Sequence, residues 1–342
     1  MRPALRIVGM SLGELGGEDV RHRMLDAGDI TLHVAEQGDG LPVVMCHGFP
    51  GLWYSWRHQL PVLAAAGYRA IAVDMRGYGR SGRPASPAEY DRRHTVADMV
   101  GLLDGLGIEE AVFVGHDFGA ALVWDLPQWA PGRVKALMQL SVPRMPVPAR
   151  PPTELYARMA EQHFVHVHYF QEHGPADEEL GAAPERFLAN VFWALSGGYR
   201  YLDIWQHPSE GNGYLDVLPE APPLPWPWLS QDEFAYYVDE FRRTGFTGGL
   251  NWYRAYDHVW EEKQSRPDEP VTVPTMFLVG ERDPVLQMMG SGALTQMESL
   301  VPGLRHVHII EGAGHFVQME AAGEVNEAML AFLAGLSAPR QT

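Results

Sequence analysis

The first third of the chain alternates short apolar runs with stretches of helical spacing. The apolar runs have the length and β-branched content of strands, whereas the stretches between them repeat apolar residues every three or four positions. The predicted strands are residues 30–36, 43–46, 70–74, 111–115 and 134–141, and the predicted helices are residues 53–66, 95–106 and 118–130. This alternation predicts an α/β fold, with a mostly parallel sheet covered by helices on both faces.

The alternation stops after Ser141 and returns at Val273. Between them, residues 143–267 have a helical pattern and hold 22 of the 36 aromatic residues. Five prolines fall within residues 219–227, which predicts irregular backbone there. The chain therefore has a long helical and aromatic interruption of its strand pattern.

The strand pattern resumes in the last part of the chain. It predicts strands at residues 274–280 and 305–310 and a mostly helical end at residues 317–336. We therefore expect a core domain made of residues 1–142 and 268–342. A helical cap, residues 143–267, is expected as an insertion after the sixth strand, where it would cover the carboxyl ends of the strands.

Composition and charge narrow the possible function classes. The chain has 342 residues, of which 46% are hydrophobic and 20% charged, an ordinary globular composition. Its 26 Lys and Arg against 43 Asp and Glu leave a net charge of −17, which repels nucleic acid and an anionic membrane surface. No apolar run reaches the roughly 18 residues that a membrane-spanning helix needs. We expect neither nucleic acid nor a membrane as a partner.

The cysteine content and the first residues bear on the compartment. Cys46 is the single cysteine, so no intrachain disulfide can form, which suits a reducing cytoplasm. Residues 1–17 carry two arginines but lack the unbroken apolar core of about 7–15 residues that marks a signal peptide. We expect a frayed leader there and a cytoplasmic protein.

Several short motifs match known sites without the setting that those sites need. Residues 77–82 match G-x-G-x-x-G, but prolines follow where a phosphate-binding helix would begin, which favours a tight loop. Residues 9–13 match G-x-S-x-G with no strand before them. Two His-x-His pairs lack the further ligands of a four-coordinate metal site. These pairs are His166 with His168 and His306 with His308. No cofactor and no metal are predicted.

One predicted strand–turn–helix segment carries a stronger signal. Asp117 lies in its turn, with Gly115 two residues before it and Gly119 two residues after it. This is the form of a nucleophile elbow, a strained turn that needs small residues around the nucleophile. The alternative is that Asp117 only caps the helix that follows.

Three other loops offer the groups that a nucleophilic Asp117 would need. The loop after an early strand offers the backbone N–H of Phe49, which together with that of Phe118 makes two donors for an oxyanion. Asp283 ends a later strand, and His315 lies on a glycine-rich loop after the last strand. The ordinary alternative for Asp283 is a simple Asp-Pro turn, and that for His315 is a loop histidine without a catalytic role. The order nucleophile, acid, histidine is that of the α/β-hydrolase fold.

With these residues, the chain from about Val20 onward resembles the soluble epoxide hydrolases of the α/β-hydrolase fold. The matching strings are HGFPG at 47–51, WYSWR at 53–57, DMRGYG at 74–79, GHDFG at 115–119 and GERDP at 280–284. The resemblance implies an α/β-hydrolase fold with a helical cap after the sixth strand. It also implies Asp117 as the nucleophile, His315 as the base and Asp283 as its orienting acid, with no cofactor.

The resemblance further implies proton donors in the cap. The string GFTGGLNWYR at 245–254 is similar to the family's second ring-opening tyrosine motif, which makes Tyr253 a donor to the epoxide oxygen. The aromatic content of the cap suits an apolar pocket. The candidate pocket residues are Trp53, Tyr169 and Trp252.

The second donor is where the chain departs from the family pattern. The family's first tyrosine usually stands four residues before a phenylalanine like Phe170, and that position holds His166. A His/Tyr pair is then implied, since neutral imidazole keeps one N–H to donate. If the register slips, Tyr169 or Tyr156 takes the place of His166.

The implied partners are a small apolar epoxide and water, and the product is a vicinal diol. The chain is compatible with a monomer or a homodimer. The nearest alternative is a haloalkane dehalogenase, but Phe118 and Phe49 replace the side chains that would hold a halide. A fluoroacetate-type dehalogenase would need Arg after the nucleophile, and an esterase would need Ser or Cys in its place. A non-catalytic ligand-binding protein on the same fold is the alternative of another class.

Overall fold

The computed structural model describes residues 19–290 and 292–337. The leader predicted at residues 1–17 and the motif at residues 9–13 lie outside this part of the chain. Within it, eight strands form one sheet. The strands are β1 (Arg21–Asp26), β2 (Thr31–Gln37), β3 (Leu41–Cys46), β4 (Tyr68–Val73), β5 (Ala111–His116), β6 (Val134–Leu140), β7 (Thr275–Gly280) and β8 (Leu304–Ile310).

The sheet is mostly parallel, as predicted. Its spatial order is β1-β2-β4-β3-β5-β6-β7-β8. Strands β1 and β2 pair in antiparallel fashion, β2 is antiparallel to β4, and all pairs from β4 to β8 are parallel. Every residue of β5 and β7 is buried. Because the carboxyl ends of parallel strands meet at one edge, the loops after β3, β5, β7 and β8 come together there.

Helices flank this sheet and fill the long interval between β6 and β7. They are α1 (Gln59–Ala65), α2 (Arg92–Gly105), α3 (Phe118–Val123), α4 (Leu126–Trp129), α5 (Pro152–Ala160), α6 (His166–Tyr169), α7 (Pro175–Ala182), α8 (Pro184–Leu195), α9 (Tyr214–Val217), α10 (Gln231–Thr244), α11 (Thr247–Arg254), α12 (Tyr256–Gln264), α13 (Pro284–Met289), α14 (Ala293–Leu300), α15 (Val317–Glu320) and α16 (Ala322–Ser337). Short 3₁₀ turns occur at Trp53–Trp56, Pro87–Tyr90 and Tyr201–Gln206.

Residues 143–267, called the insert below, hold helices α5 to α12. They follow β6, which is where the sequence places the insertion. Helices α8 and α10 pack on each other. On α10 the buried residues Phe234, Tyr237 and Phe241 repeat at three- and four-residue spacing, so one face is apolar. That the insert is a cap domain of its own stays a prediction.

The differences from the predicted elements have local causes. Strand β1 is absent from the sequence prediction because its residues RHRMLD are exposed or half-buried and show no apolar alternation. The helix predicted at 118–130 is two helices, and Pro127 stands in the first turn of the second. The helix predicted at 53–66 is a 3₁₀ turn followed by α1.

The motifs set aside in the sequence lie in ordinary structure. Residues 77–82 form a tight loop with no helix start, and an added Cβ at Gly79 would lie 2.2 Å from a carboxylate oxygen of Asp74. His306 and His308 lie side by side on β8, with ring centroids 6.0 Å apart. In the described part of the chain, no helix is both long and apolar enough to cross a membrane.

Candidate active site

Asp117 occupies a strained turn between β5 and α3. Its backbone has φ 54° and ψ −118°, a conformation that is uncommon for any residue other than glycine. The turn also needs close backbone approach, because a Cβ on Gly119 would lie 2.1 Å from the carbonyl oxygen of Cys46. The local structure is thus a sharp elbow and not an ordinary helix cap, and the side chain of Asp117 accepts no capping bond from α3.

Two backbone N–H groups face the carboxylate of Asp117. The amide of Phe49 donates a 2.8 Å hydrogen bond to Oδ1, and the amide of Phe118 lies close enough to this carboxylate to lower its pKa. Gly48 makes the approach possible, since a Cβ there would lie 2.0 Å from the same Oδ1. Burial raises the pKa of Asp117, while His315 and the two amides oppose that rise.

His315 lies between two carboxylates. Its Nδ1–H donates to Asp283, whose two carboxylate oxygens are each 3.2 Å away. Its Nε2 lies 3.8 Å from Oδ2 of Asp117. Burial disfavours the charged imidazole, but Asp283, Asp117 and Glu320 outweigh burial and raise the pKa of His315 to about 9.

Backbone hydrogen bonds hold the loop of His315 in place. The carbonyl of His315 accepts from Nε2 of His116 at 2.8 Å and from the hydroxyl of Ser141 at 2.9 Å. Its amide donates to the carbonyl of Leu195 in the insert at 2.9 Å. The base is therefore tied both to the end of the sheet and to the insert.

A half-buried carboxylate, that of Glu320, holds the same loop through hydrogen bonds to its backbone. It accepts hydrogen bonds from the amides of Gly314 and Phe316 at 3.0 Å and from that of Gly197 in the insert at 2.8 Å. Burial raises the pKa of Glu320, and the three amides oppose that rise. Sequence reasoning did not single out this residue, which lies in α15 with no motif around it.

Asp117 and His315 share one cavity, of about 40 Å³, with residues of the insert. The insert residues include both predicted proton donors, Tyr253 and His166. The other lining residues are Phe49, Phe170, Val191, Leu195, Tyr201, Tyr214, Val285 and Met288. A carboxylate, an imidazole and two further proton donors thus face one otherwise apolar space.

Tyr253 reaches this cavity from α11 and is surrounded by aromatic rings. The ring centroids of Phe118 and Phe170 lie 4.6 Å and 5.0 Å from its own. Among the described residues its hydroxyl has no hydrogen-bond partner. Burial and the negative charge of Asp117 raise the pKa of Tyr253 well above 10, so its hydroxyl carries a proton at neutral pH.

His166 begins α6 and is oriented by two tyrosines. Its Nδ1 lies 2.9 Å from the hydroxyl of Tyr201, which lies 2.7 Å from the hydroxyl of Tyr214. The ring of Tyr214 also stacks on the imidazole, with centroids 5.5 Å apart. Burial and the nearby His315 lower the pKa of His166 to about 4, so the imidazole is neutral at pH 7. If Tyr201 donates to Nδ1, the single proton of His166 sits on Nε2.

Comparison with known proteins agrees with this arrangement. A family model described as the alpha/beta hydrolase fold matches residues 42–171. The chain is 43% identical to epoxide hydrolase A of Mycobacterium tuberculosis, over 92% of this chain and 97% of that relative. The chain belongs to the epoxide hydrolase family.

Solved structures support membership of this epoxide hydrolase family. An epoxide hydrolase from an endophytic Streptomyces matches with a TM-score of 0.88 and 38% identity, over 93% of this chain and 96% of that one. Epoxide hydrolase A from Mycobacterium thermoresistibile matches with a TM-score of 0.86 and 42% identity, over 94% and 100%. The α/β-hydrolase fold and the family expected from the sequence are confirmed.

Three aromatic residues predicted to line the epoxide pocket lie outside this cavity. The indole N–H of Trp53 donates to the hydroxyl of Tyr236 at 2.8 Å, and that of Trp252 donates to the carbonyl of Arg76 at 2.8 Å. Tyr169 is turned towards Glu179. Their aromatic character reflects packing between elements, which sequence alone does not distinguish from pocket lining.

The alternatives for the second donor are also turned away. Tyr169 is outside the cavity, and Tyr156 stacks on Tyr256, with centroids 6.1 Å apart, beside a different cavity. Besides Glu320, sequence reasoning missed Tyr201 and Tyr214, which orient His166. Tyr201 lies in a 3₁₀ turn, 35 residues from its partner His166, where no periodic pattern signals a contact.

Proposed function

We propose that the protein hydrolyses an apolar epoxide to a vicinal diol through a covalent ester on Asp117. One observation carries this proposal. Asp117 holds one carboxylate oxygen 2.8 Å from the Phe49 amide and the other 3.8 Å from Nε2 of His315, in a cavity that Tyr253 and His166 also line. The relatives that are named epoxide hydrolases support the same reaction.

In the first step, a carboxylate oxygen of Asp117 forms a bond to one ring carbon. The C–O bond of the strained ring breaks, and its electron pair stays on the ring oxygen. Tyr253 and His166 donate hydrogen bonds to that oxygen, and one of them supplies its proton. The phenol of Tyr253 and the imidazole of His166 are both uncharged at neutral pH and each carries a proton to donate. Neither group has to take up a proton before the ring opens.

In the second step, His315 takes a proton from water, and the hydroxide attacks the ester carbonyl of Asp117. The amides of Phe49 and Phe118 would hold the resulting oxyanion. Collapse releases the diol oxygen, which takes the proton from His315. The remaining proton of water returns to whichever of Tyr253 and His166 gave up its proton in the first step. Ester formation removes the negative charge of Asp117, one of the charges that raise the pKa of His315, so the imidazolium releases its proton to solvent and the neutral imidazole acts as the base. His315 takes up a proton from solvent again once the carboxylate of Asp117 has re-formed.

The reactants fit the surroundings of these groups. Apart from the four reacting side chains and two tyrosines, the cavity is lined by Phe, Val, Leu and Met side chains, which suits an apolar epoxide.

We also propose a reducing compartment such as the cytoplasm. Cys46, which is buried, has its thiol pKa raised by burial and needs no partner.

The test is diol formation from styrene oxide, measured by chromatography. Wild type is expected to form phenylethanediol, and Asp117→Ala to lose at least about a thousandfold in rate, or roughly 4 kcal/mol of barrier. Asp39→Ala, which removes a carboxylate that is 93% exposed, is the matched control and should keep the wild-type rate. Diol formation near wild type in folded Asp117→Ala would contradict the proposal.

A second substrate separates this activity from dehalogenation. With 1-bromobutane we expect no bromide release, because Phe49 and Phe118 offer no side-chain donor for a halide beside Asp117. Bromide release with no diol formation would favour the dehalogenase.

A further inference from the structure

The two proton donors of the catalytic cavity lie on two separate short helices of the insert. His166 begins α6, Tyr253 lies near the end of α11, and their ring centroids are 5.8 Å apart. The ring of Phe170, which follows α6, packs on Tyr253 with its centroid 5.0 Å away. The spacing of the two donors therefore depends on what holds α6 against α11.

Arg254, the residue directly after Tyr253, joins these two helices. Its side chain is only 2% exposed. Its Nε donates to the carbonyl oxygen of Phe170 at 3.0 Å, and its Nη2 donates to the carbonyl oxygen of Glu172 at 3.1 Å. Both carbonyls belong to the turn that leaves α6, so the guanidinium ties this turn to the last residue of α11.

The other donors of Arg254 are used as well. Nη2 forms a 2.5 Å hydrogen bond with Oδ2 of Asp177 in α7, and Nη1 donates to Oδ1 of Asn251 at 3.2 Å. Asp177 also accepts a 2.6 Å hydrogen bond from the hydroxyl of Thr247, so one carboxylate joins the first and the last residue of α11. The guanidinium has partners all around its planar fork, an arrangement that a lysine ammonium cannot reproduce.

A second side chain bridges the same two helices. The amide nitrogen of Gln171 donates to the carbonyl oxygen of Val167 in α6 at 2.9 Å and to that of Tyr253 in α11 at 3.1 Å. Among the described residues that line the catalytic cavity, neither Gln171 nor Arg254 occurs. Both therefore act on the donors from outside the space where an epoxide would bind.

We propose that Arg254 is a positioning residue that sets the spacing of the two proton donors. Two hydrogen bonds reach one ring oxygen only if His166 and Tyr253 stand at a fixed separation, and a misplacement of about 1 Å can cost a hundredfold in rate. This role rests on the proposed ring opening, in which both groups donate to the epoxide oxygen. It belongs to the first step, because attack on the ester depends on His315 and backbone amides.

Mass spectrometry of the intact protein, acid-quenched at intervals after mixing an excess of it with styrene oxide, tests the proposal. The ester appears in the first step and disappears in the second, so both rates are measured. Arg254→Lys keeps the charge but loses the fork, and it should slow ester formation at least about tenfold and ester hydrolysis less than about twofold. Equal slowing of both steps, or a wild-type rate of ester formation, would overturn the proposal. A wild-type protein that forms no ester would instead contradict the proposed function, and with it this role.

A double-mutant cycle separates the spacing of the donors from general stability. In the His166→Phe background only one donor is left, so Arg254→Lys should slow ester formation less than about threefold there. A loss of stability would act alike in both backgrounds. Equal effects of Arg254→Lys with and without His166 would therefore refute the spacing role.

Two further variants complete the test. Arg242→Lys is the matched control and should leave both rates unchanged, since the ion pairs of Arg242 with Asp239 and Glu185 in the insert are exposed. If Arg254→Lys does not fold, Asp177→Asn removes the charge that holds the guanidinium and should also slow ester formation selectively. An equal effect of Asp177→Asn on both steps would contradict the proposal in the same way.

Discussion

The catalytic cavity has two halves that the molecule holds in different ways. In the core, Asp117 and His315 lie on short loops at strand ends and are fixed by backbone hydrogen bonds and by the strained turn. In the insert, Tyr253 and His166 are fixed by ring packing and by the hydroxyl of Tyr201. Under the proposed mechanism the core groups each perform one step alone, whereas the two insert groups share one task. Substitutions in the two halves should therefore differ in kind.

The largest effect is expected from the core half. His315→Gln should lower steady-state turnover of styrene oxide at least about a thousandfold, or roughly 4 kcal/mol. Ester formation should survive, because His315 acts only on the ester. Mass spectrometry of the intact protein should then show a stable gain of one epoxide. A variant that neither turns over nor gains mass would place His315 in the first step.

The insert half should show redundancy. His166→Phe or Tyr253→Phe should each slow ester formation in a single turnover by about tenfold, or roughly 1.4 kcal/mol, and the double variant should be nearly inactive. His166→Tyr should retain much of the rate, since a phenol also donates a hydrogen bond. A wild-type rate of ester formation in His166→Phe would remove His166 from the mechanism.

A smaller effect should follow from the tyrosine that orients His166. Tyr201→Phe removes the hydroxyl beside Nδ1 and should slow ester formation about threefold, or roughly 0.7 kcal/mol, because the imidazole proton is no longer kept on Nε2. Tyr169→Phe is the matched control, as Tyr169 lies in the same part of the insert but faces Glu179. Equal effects of the two changes would argue against a positioning role for Tyr201.

The smallest change concerns the electrostatic link between the two steps. In Asp117→Asn one of the charges that raise the pKa of His315 is gone, while Asp283 and Glu320 remain. The pKa of His315 should therefore fall below about 9, as followed by NMR titration of the imidazole. The imidazole would then lose its charge at a lower pH than in wild type. An unchanged or higher pKa would mean that ester formation does not free the base.

The two halves also differed in how far the sequence could predict them. Asp117, Asp283 and His315 each follow a strand, and glycines around Asp117 and before His315 mark tight turns, so their meeting follows from a parallel sheet. His166 could be assigned as a donor only by counting back four residues from Phe170, as the resemblance to the family suggests. No local pattern could give Tyr201, because ring packing joins segments that are distant in sequence.

Aromatic content was a poor guide to where side chains point. Trp53 and Trp252 were expected in the epoxide pocket, but both donate their indole N–H groups across the boundary between core and insert. Hydrophobic pattern likewise missed β1, whose side chains are exposed or half-buried. The direction in which a side chain points, and the group it bonds to, depend on tertiary packing. Hydrophobic periodicity does not encode that packing.

A single turnover in water enriched in ¹⁸O tests the covalent mechanism most directly. With enzyme in excess over styrene oxide, the oxygen of water should enter the carboxylate of Asp117, and the diol should carry no label. Digestion and mass spectrometry should find the added two mass units on the peptide that contains Asp117. Label in the diol and none in that peptide would mean that water attacks the epoxide directly, and it would contradict Asp117 as the nucleophile.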